Sequence, residues 1–352
     1  MNTASELRVA NRRPLLDLPG QPDGVPWPTD EWPEGPLDAG IDADRVAALT
    51  SRVVAEQPED LGQTLAMLVV HRGRLVAESY GTDTDASTAL ISWSMAKSMT
   101  HSVLGMLVGD GLLDSDGPAP IAEWTDDRRD ITIRQLMQMR SGLTWLEDYI
   151  DGETSHVIDM LFGSGKADMG TYAAALPSQD PPGVVWNYSS GTTNILSRII
   201  RDVLGGADAY RSYLQQRLFD PLGMTSATPT FDDAGTFVGS SYVHATARDF
   251  ARYGLFALRD GTVGDDRLLP AGWMDAARTM HAWDPNDAQG YGEQWWVADD
   301  EFGTFFCNGY EGQRIACVPA LDLVVVRLGK TPAELGPQWR HRLGDLIECF
   351  AG

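Results

Sequence analysis

Ser92-Trp93-Ser94-Met95-Ala96-Lys97-Ser98-Met99-Thr100 is the stretch on which the reading of this chain turns. It holds one of only three lysines, Lys97, Lys166 and Lys330, against twenty-four arginines. Lys166 is preceded at a spacing of three by Gly163 and Lys330 by Arg327, so Ser94 and Lys97 form the one Ser-x-x-Lys in the chain. On a helix that spacing places both side chains on one face. A serine hydroxyl is a weak nucleophile until a neighbouring base takes its proton, and lysine can be that base only when neutral. Burial lowers a lysine pKa, and the run Val103-Leu104-Gly105-Met106-Leu107-Val108 predicts a helix buried almost all round. Arginine could not serve, because it does not deprotonate in proteins. A helix-capping serine followed by a snorkelling lysine would give the same four residues, so the decision rests on the rest of the chain.

The chain has 352 residues, 43% of them hydrophobic, and a net charge of −23. That is enough chain for one large domain or two with a sizeable core. The negative charge argues against nucleic-acid and anionic-membrane partners, which need a positive surface. The first twenty residues hold no apolar run of the length a signal peptide needs, and no later stretch reaches membrane-spanning length. Cys307, Cys317 and Cys349 are an odd number clustered near the C-terminus, which suits a reducing compartment. The expectation is a soluble, cytoplasmic protein.

Residues 1–42 are rich in proline, with Trp27 and Trp32 among them, and predict an extended arm that packs in part on the body. Residues 42–57 carry Val46, Leu49, Val53 and Val54 at helical spacing, with Asp42 or Asp44 able to cap. Two apolar runs, 65–70 and 74–80, flank His71-Arg72-Gly73 and predict a hairpin. Gly109-Asp110-Gly111 stops the Ser-x-x-Lys helix, and Thr132 caps a short helix that ends by Gly142. Residues 143–180 read as loops and short helices around a cleft. Helices are expected over 194–203, 210–218, 247–258 and 339–350. Period-two alternation predicts strands at 295–297, 303–307, 314–318 and 323–328.

Strands at both ends with helices between them predict an α+β fold: an antiparallel sheet flanked by helices, built from N- and C-terminal segments, with a mostly helical insertion. The division expected is an arm over 1–42 and one domain over 43–350. Its sheet parts fall at about 43–115 and 245–350 and its insertion at about 116–244. The active site would lie at the junction.

This order of pieces resembles the penicillin-recognising serine hydrolases, in the branch that holds class C β-lactamases, esterases and 6-aminohexanoate-dimer hydrolases. The resemblance covers roughly residues 43–350. Its signature is Ser-x-x-Lys, then Tyr-x-Asn/Ser, then a strand with Lys/His-Thr/Ser-Gly. Ser94-Met95-Ala96-Lys97 matches the first and Tyr188-Ser189-Ser190 the second. In the third place stands Cys307-Asn308-Gly309, which keeps only the glycine that lets the strand approach a reacting carbonyl. The resemblance implies a β-lactamase/transpeptidase-like fold and an acyl-enzyme on Ser94. It implies proton transfer shared by Lys97 and Tyr188, with oxyanion donors at the backbone N–H groups of Ser94 and Tyr310. Tyrosine suits that role if a nearby ammonium lowers its pKa, and Lys97 is the expected source. Ser190 and Gly309 join Trp145, Tyr149 and Trp186 as candidates for the substrate pocket. Those aromatics, with Tyr310, suit an apolar pocket and a core equally.

Nothing in the chain asks for a metal or other cofactor: the six histidines show no ligand spacing, and Gly109-Asp110-Gly111 is a helix stop rather than a dinucleotide loop. There is no Gly-x-Ser-x-Gly. The leading expectation is therefore a serine hydrolase for a small-molecule ester or amide. Two alternatives stand beside it: a β-lactamase or D-Ala-D-Ala peptidase, made less apt by the missing cation of the third motif, and a non-catalytic binding module on the same scaffold.

Overall fold

The computed structural model of the chain describes residues 13–55, 58–149 and 155–351. Residues 13–42 of the arm, whose first twelve residues lie outside those described, cross the body before the first helix, α1 (Ala43–Ala55), where Asp42 accepts from the Arg45 N–H at 3.0 Å as a cap. Buried arginines hold it there. Arg252 Nε donates to the Pro28 carbonyl at 2.6 Å, Arg259 Nη1 to Pro19 at 3.3 Å and Arg278 Nη2 to Leu16 at 2.5 Å. Trp27 Nε1 reaches the Leu222 carbonyl at 3.2 Å.

After α2 (Pro58–Leu61), strands β1 (Gln63–His71) and β2 (Arg74–Tyr80) form the expected hairpin, turning at Arg72-Gly73. A short strand β3 (Leu90–Ile91) leads into a 3₁₀ turn at Trp93–Met95 and then α3 (Ala96–Gly109). The latter is buried from Ala96 through Leu107, as its sequence predicts. Next come α4 (Ile133–Met137), begun by a capping box between Thr132 and Gln135, α5 (His156–Phe162) and α6 (Met169–Ala174). Helix α7 (Ser190–Leu204) begins four residues before the expected start, because Ser189 caps it by accepting from Thr192 N–H, and it stops at left-handed Gly205. Helix α8 (Ala207–Tyr213) runs through a π-helical turn, Leu214–Phe219, into α9 (Asp220–Leu222). Strands β4 (Thr228–Pro229) and β5 (Val243–Ala245) join β3 in a small sheet of order β3-β5-β4, and α10 (Ala247–Leu258) follows its Thr246 cap.

A minor hairpin, β6 (Thr262–Val263) and β7 (Asp266–Arg267), and α11 (Trp273–Arg278) precede β8 (Ala282–Asp284), β9 (Gln289–Tyr291), β10 (Trp296–Val297), β11 (Phe305–Gly309), β12 (Gln313–Val318) and β13 (Leu323–Lys330). The sheet has eight strands in the order β2-β1-β13-β12-β11-β10-β9-β8, antiparallel throughout, with Gln63 paired to Lys330 and His71 to Leu323. The β8–β9 hairpin is absent from the expectation: its strands are three residues long and mix aromatics with polar residues, too short for alternation to declare itself. One face of the sheet packs on α1 and the closing helix α12 (Gly336–Glu348), the other on α10, α3 and the helical part.

The three cysteines are free and buried. Among the described residues no helix is long and apolar enough to cross a membrane.

Candidate active site

Ser94 sits in the 3₁₀ turn just ahead of α3, and Lys97 is in the first turn of that helix, 2% exposed. The ammonium nitrogen has three neighbours. Lys97 Nζ lies 3.0 Å from Ser94 Oγ, 2.9 Å from Ser190 Oγ and 3.0 Å from the Ser240 carbonyl oxygen. Burial lowers its pKa to about 8, and the charge of Glu147 works in the opposite direction.

Tyr188, just before α7, completes the trio. Its ring centroid is 4.9 Å from Lys97 Nζ, and Ser94 is among the side chains that act on its hydroxyl. Tyr291 and Trp296 brace the ring at 5.9 and 5.4 Å. The expected depression of the Tyr188 pKa is absent. Burial pushes it well up, Glu147 adds to the rise, and Ser94 only partly offsets them. Lys97 and Tyr188 are thus driven apart: the amine toward neutrality, the phenol toward keeping its proton.

The strand end carrying Gly309 lies against the turn carrying Ser94. A Cβ at Gly309 would stand 2.5 Å from the Ser92 carbonyl oxygen, so this approach excludes any other residue. Trp93, just before Ser94, and Glu311, just after Tyr310, both adopt left-handed φ, +43° and +59°. Such conformations cost roughly 1–3 kcal/mol each and persist only when their surroundings enforce them. Here the two are tied together, since Trp93 Nε1 donates to Glu311 Oε2 at 3.1 Å, and the Trp93 ring meets Tyr310 edge-on at 5.6 Å. The backbone N–H groups of Ser94 and Tyr310 are therefore each next to a locked residue.

A cleft of about 730 Å³ opens onto Ser94. Trp145, Tyr149, Trp186 and Gly309 line it, as do Tyr188, Asn308 and Tyr310. Tyr149 and Tyr310, both exposed, stack at 5.1 Å across it. Ser190 takes another place: it is fully buried and faces Lys97 instead of the cleft, because α7 starts at that residue and turns its side chain inward. Among the described residues, every charged one lining the cleft is acidic: Glu147, Asp180, Asp284 and Asp287. Cys307 points into the core, 1% exposed, and burial raises its thiol pKa to about 12, which suits packing and not reactivity.

Sequence reasoning passed over Glu147. Its carboxylate receives four donors: Trp145 Nε1 at 2.6 Å, Ser190 N at 2.8 Å, Ser190 Oγ at 2.5 Å and Tyr149 Oη at 3.1 Å. The one local signal is an acid set between aromatics in Trp145-Leu146-Glu147-Asp148-Tyr149.

Comparison with known proteins places the chain in a family. The family described as Beta-lactamase matches residues 52–343. The chain is 27% identical, over 322 residues, to a 6-aminohexanoate-dimer hydrolase of Paenarthrobacter ureafaciens, covering 84% of this chain and 80% of that one. Among solved structures, a Bacillus anthracis protein provisionally named a 6-aminohexanoate-dimer hydrolase superposes with a TM-score of 0.76 at 21% identity, covering 99% and 98% of the two chains. A penicillin-binding protein from Bacillus halodurans superposes with a TM-score of 0.64 at 18% identity, covering 81% and 98%. These two likenesses are of fold.

Proposed function

The chain belongs to the beta-lactamase family and is a serine hydrolase, and from that premise we propose that it cleaves an ester or linear amide of a small molecule through an acyl-enzyme on Ser94. The observation that carries the reading is Lys97 Nζ at 3.0 Å from Ser94 Oγ, with burial lowering the lysine pKa to about 8. Lys97 is then the first base. It takes the Ser94 proton as Oγ attacks the carbonyl, and the N–H groups of Ser94 and Tyr310 receive the oxyanion. Tyr188, which burial keeps protonated, gives its proton to the leaving oxygen or nitrogen and regains one from the Lys97 ammonium. Water then attacks the acyl-enzyme by the reverse proton path.

The acid-lined cleft supports neutral or cationic substrates over anionic ones, and the absent third-motif cation points the same way. Both features weigh against a β-lactam, whose carboxylate would meet Glu147 and Asp284 with no lysine or arginine among the described lining residues. The similarity to a protein named for an aminohexanoate dimer supports a linear amide as the extension of esterase activity. Three free cysteines support a cytoplasmic location. The intact trio of Ser94, Lys97 and Tyr188 weighs against a silent binding module.

The test is turnover of p-nitrophenyl acetate and butyrate. The wild-type protein should release p-nitrophenol and Ser94→Ala should not; equal turnover by the two would refute the reading. Nitrocefin hydrolysis faster than ester hydrolysis would favour the β-lactamase alternative.

A further inference from the structure

The hydrogen bonds around Lys97 run in one direction, and a residue outside the trio sets it. We propose that Glu147 is a positioning residue that, through Ser190, aims the lone pair of neutral Lys97 at the Ser94 hydroxyl. The proposal rests on the reading of Lys97 as the first base.

A neutral amine has two protons and one lone pair for its three neighbours. The Ser240 carbonyl can only accept, so it takes one proton, across 3.0 Å. Ser190 Oγ could donate or accept. It has one proton, and Glu147 Oε1 claims that proton at 2.5 Å. Ser190 must then accept from Lys97, across 2.9 Å, and uses the second amine proton. The lone pair is left for Ser94, at 3.0 Å, which donates its own proton. With its own proton directed at Lys97, Ser94 Oγ can only accept from the Tyr188 phenol, which burial keeps protonated. A serine in the last place of the Tyr-x-Ser motif is ambiguous by itself, and Glu147 removes the ambiguity.

The carboxylate is itself held in one pose. Oε2 receives Trp145 Nε1 and the Ser190 N–H, groups that cannot accept. Oε1 receives the Ser190 and Tyr149 hydroxyls. This fixes the outcome of an isosteric change. In Glu147→Gln the amide oxygen must stay where the two N–H donors point, which places the NH₂ against Ser190. The NH₂ then donates to Ser190 Oγ, and Ser190 turns its proton onto the Lys97 lone pair.

The titratable groups facing Lys97 are Glu147 from the loop after α4, which in turn holds Tyr149, and Tyr188 ahead of α7, with Tyr291 of β9 behind Tyr188. Glu147 is the one whose charge raises the Lys97 pKa, so its removal moves that pKa further down.

The experiment is the pH profile of kcat/KM for p-nitrophenyl butyrate in wild type, Glu147→Gln, Glu147→Asp, Ser94→Ala and the double variant Glu147→Gln/Ser190→Ala, with thermal unfolding as the folding control. Glu147→Gln should lower the plateau about 10–100-fold, part of the roughly 10²–10⁴ that a positioned base contributes, and move the acid limb to lower pH. Glu147→Asp keeps the charge but falls short of Ser190; it should lower the plateau and leave the limb in place. Removing the misdirected hydroxyl should make the double variant more active than Glu147→Gln, where a merely structural role predicts a further loss. An inactive Ser94→Ala beside a Glu147→Gln with an unmoved limb, or a double variant less active than the single, overturns this inference and spares the hydrolase reading. Should Glu147→Gln fail to fold, wild-type kcat/KM in Glu147→Asp overturns it. An active Ser94→Ala overturns both.

Discussion

Two buried cations, Lys97 beside Ser94 and Arg327 behind the turn that carries Glu311, share dry surroundings and have opposite uses. Lys97, 2% exposed, meets three neutral oxygens and has a pKa lowered to about 8. Arg327 of β13, 1% exposed, also meets only neutral oxygens: Thr64 Oγ1 at 3.1 Å, the carbonyls of Gln63, Glu311 and Gly312 at 3.2, 2.9 and 3.1 Å, and Thr331 Oγ1 at 2.6 Å. Burial lowers its pKa to about 9. The amine can give up its proton within the working range and become a base. The guanidinium stays charged, and its planar fork grips five acceptors at once. Two of these acceptors belong to the turn at Glu311 and Gly312, which holds the left-handed residue next to Tyr310. Desolvation alone therefore decides nothing: the chemistry of the head group determines whether a buried cation moves protons or holds backbone.

That contrast is broken most severely by giving the base the chemistry of the brace. Lys97→Arg cannot deprotonate, so kcat/KM for p-nitrophenyl esters should fall roughly 10²–10⁴-fold, the contribution of a positioned base. On the proposed mechanism only neutral Lys97 accepts the Ser94 proton in the wild-type protein. Its kcat/KM should accordingly rise about tenfold per pH unit below about 8 and level off above it, a limb that stopped-flow or plate assays across pH 6–10 would trace. Removing the brace acts on stability first. Arg327→Met leaves the Glu311, Gly312 and Gln63 carbonyls without this donor in a dry interior, at roughly 1–3 kcal/mol for each that finds no other. Urea unfolding should show a loss of about 3 kcal/mol, with a smaller drop in ester turnover as the Tyr310 turn loosens. The smallest effect belongs to a cation in water. Arg129 faces Asp130 at 3.8 Å with both side chains largely exposed, and Arg129→Ala should change unfolding by less than about 0.5 kcal/mol and leave turnover unchanged.

Ser94 and Lys97 are legible in the sequence because three-residue spacing is local and lysine is scarce. The β1–β2 hairpin, α10 with its Thr246 cap and the strands β12 and β13 are legible for the same reason: period and punctuation lie within a dozen residues. Tyr188 needs the family's order of motifs, since one tyrosine has no spacing of its own. Glu147 and Arg327 lie beyond both routes. Their roles come from partners 43 and 263 residues away, Ser190 and Thr64, and neither a loop acid nor a strand arginine signals such a partner. Ser190 shows the reverse limit, for its motif place is readable but whether it faces substrate or lysine depends on where α7 begins.

The pairing of β1 with β13, Gln63 opposite Lys330, also has a consequence for how the protein is made. The hairpin leaves the ribosome early with one edge unpaired, and its partner strand follows about 250 residues later. At roughly 5–20 residues per second that is about 10–50 s of synthesis. Throughout that interval the apolar run from Ala66 to Val70 must be shielded from other chains. The sheet that presents Gly309 to Ser94 is completed only after β13 has emerged, so the candidate site forms only once the segment from β1 through β13 is present.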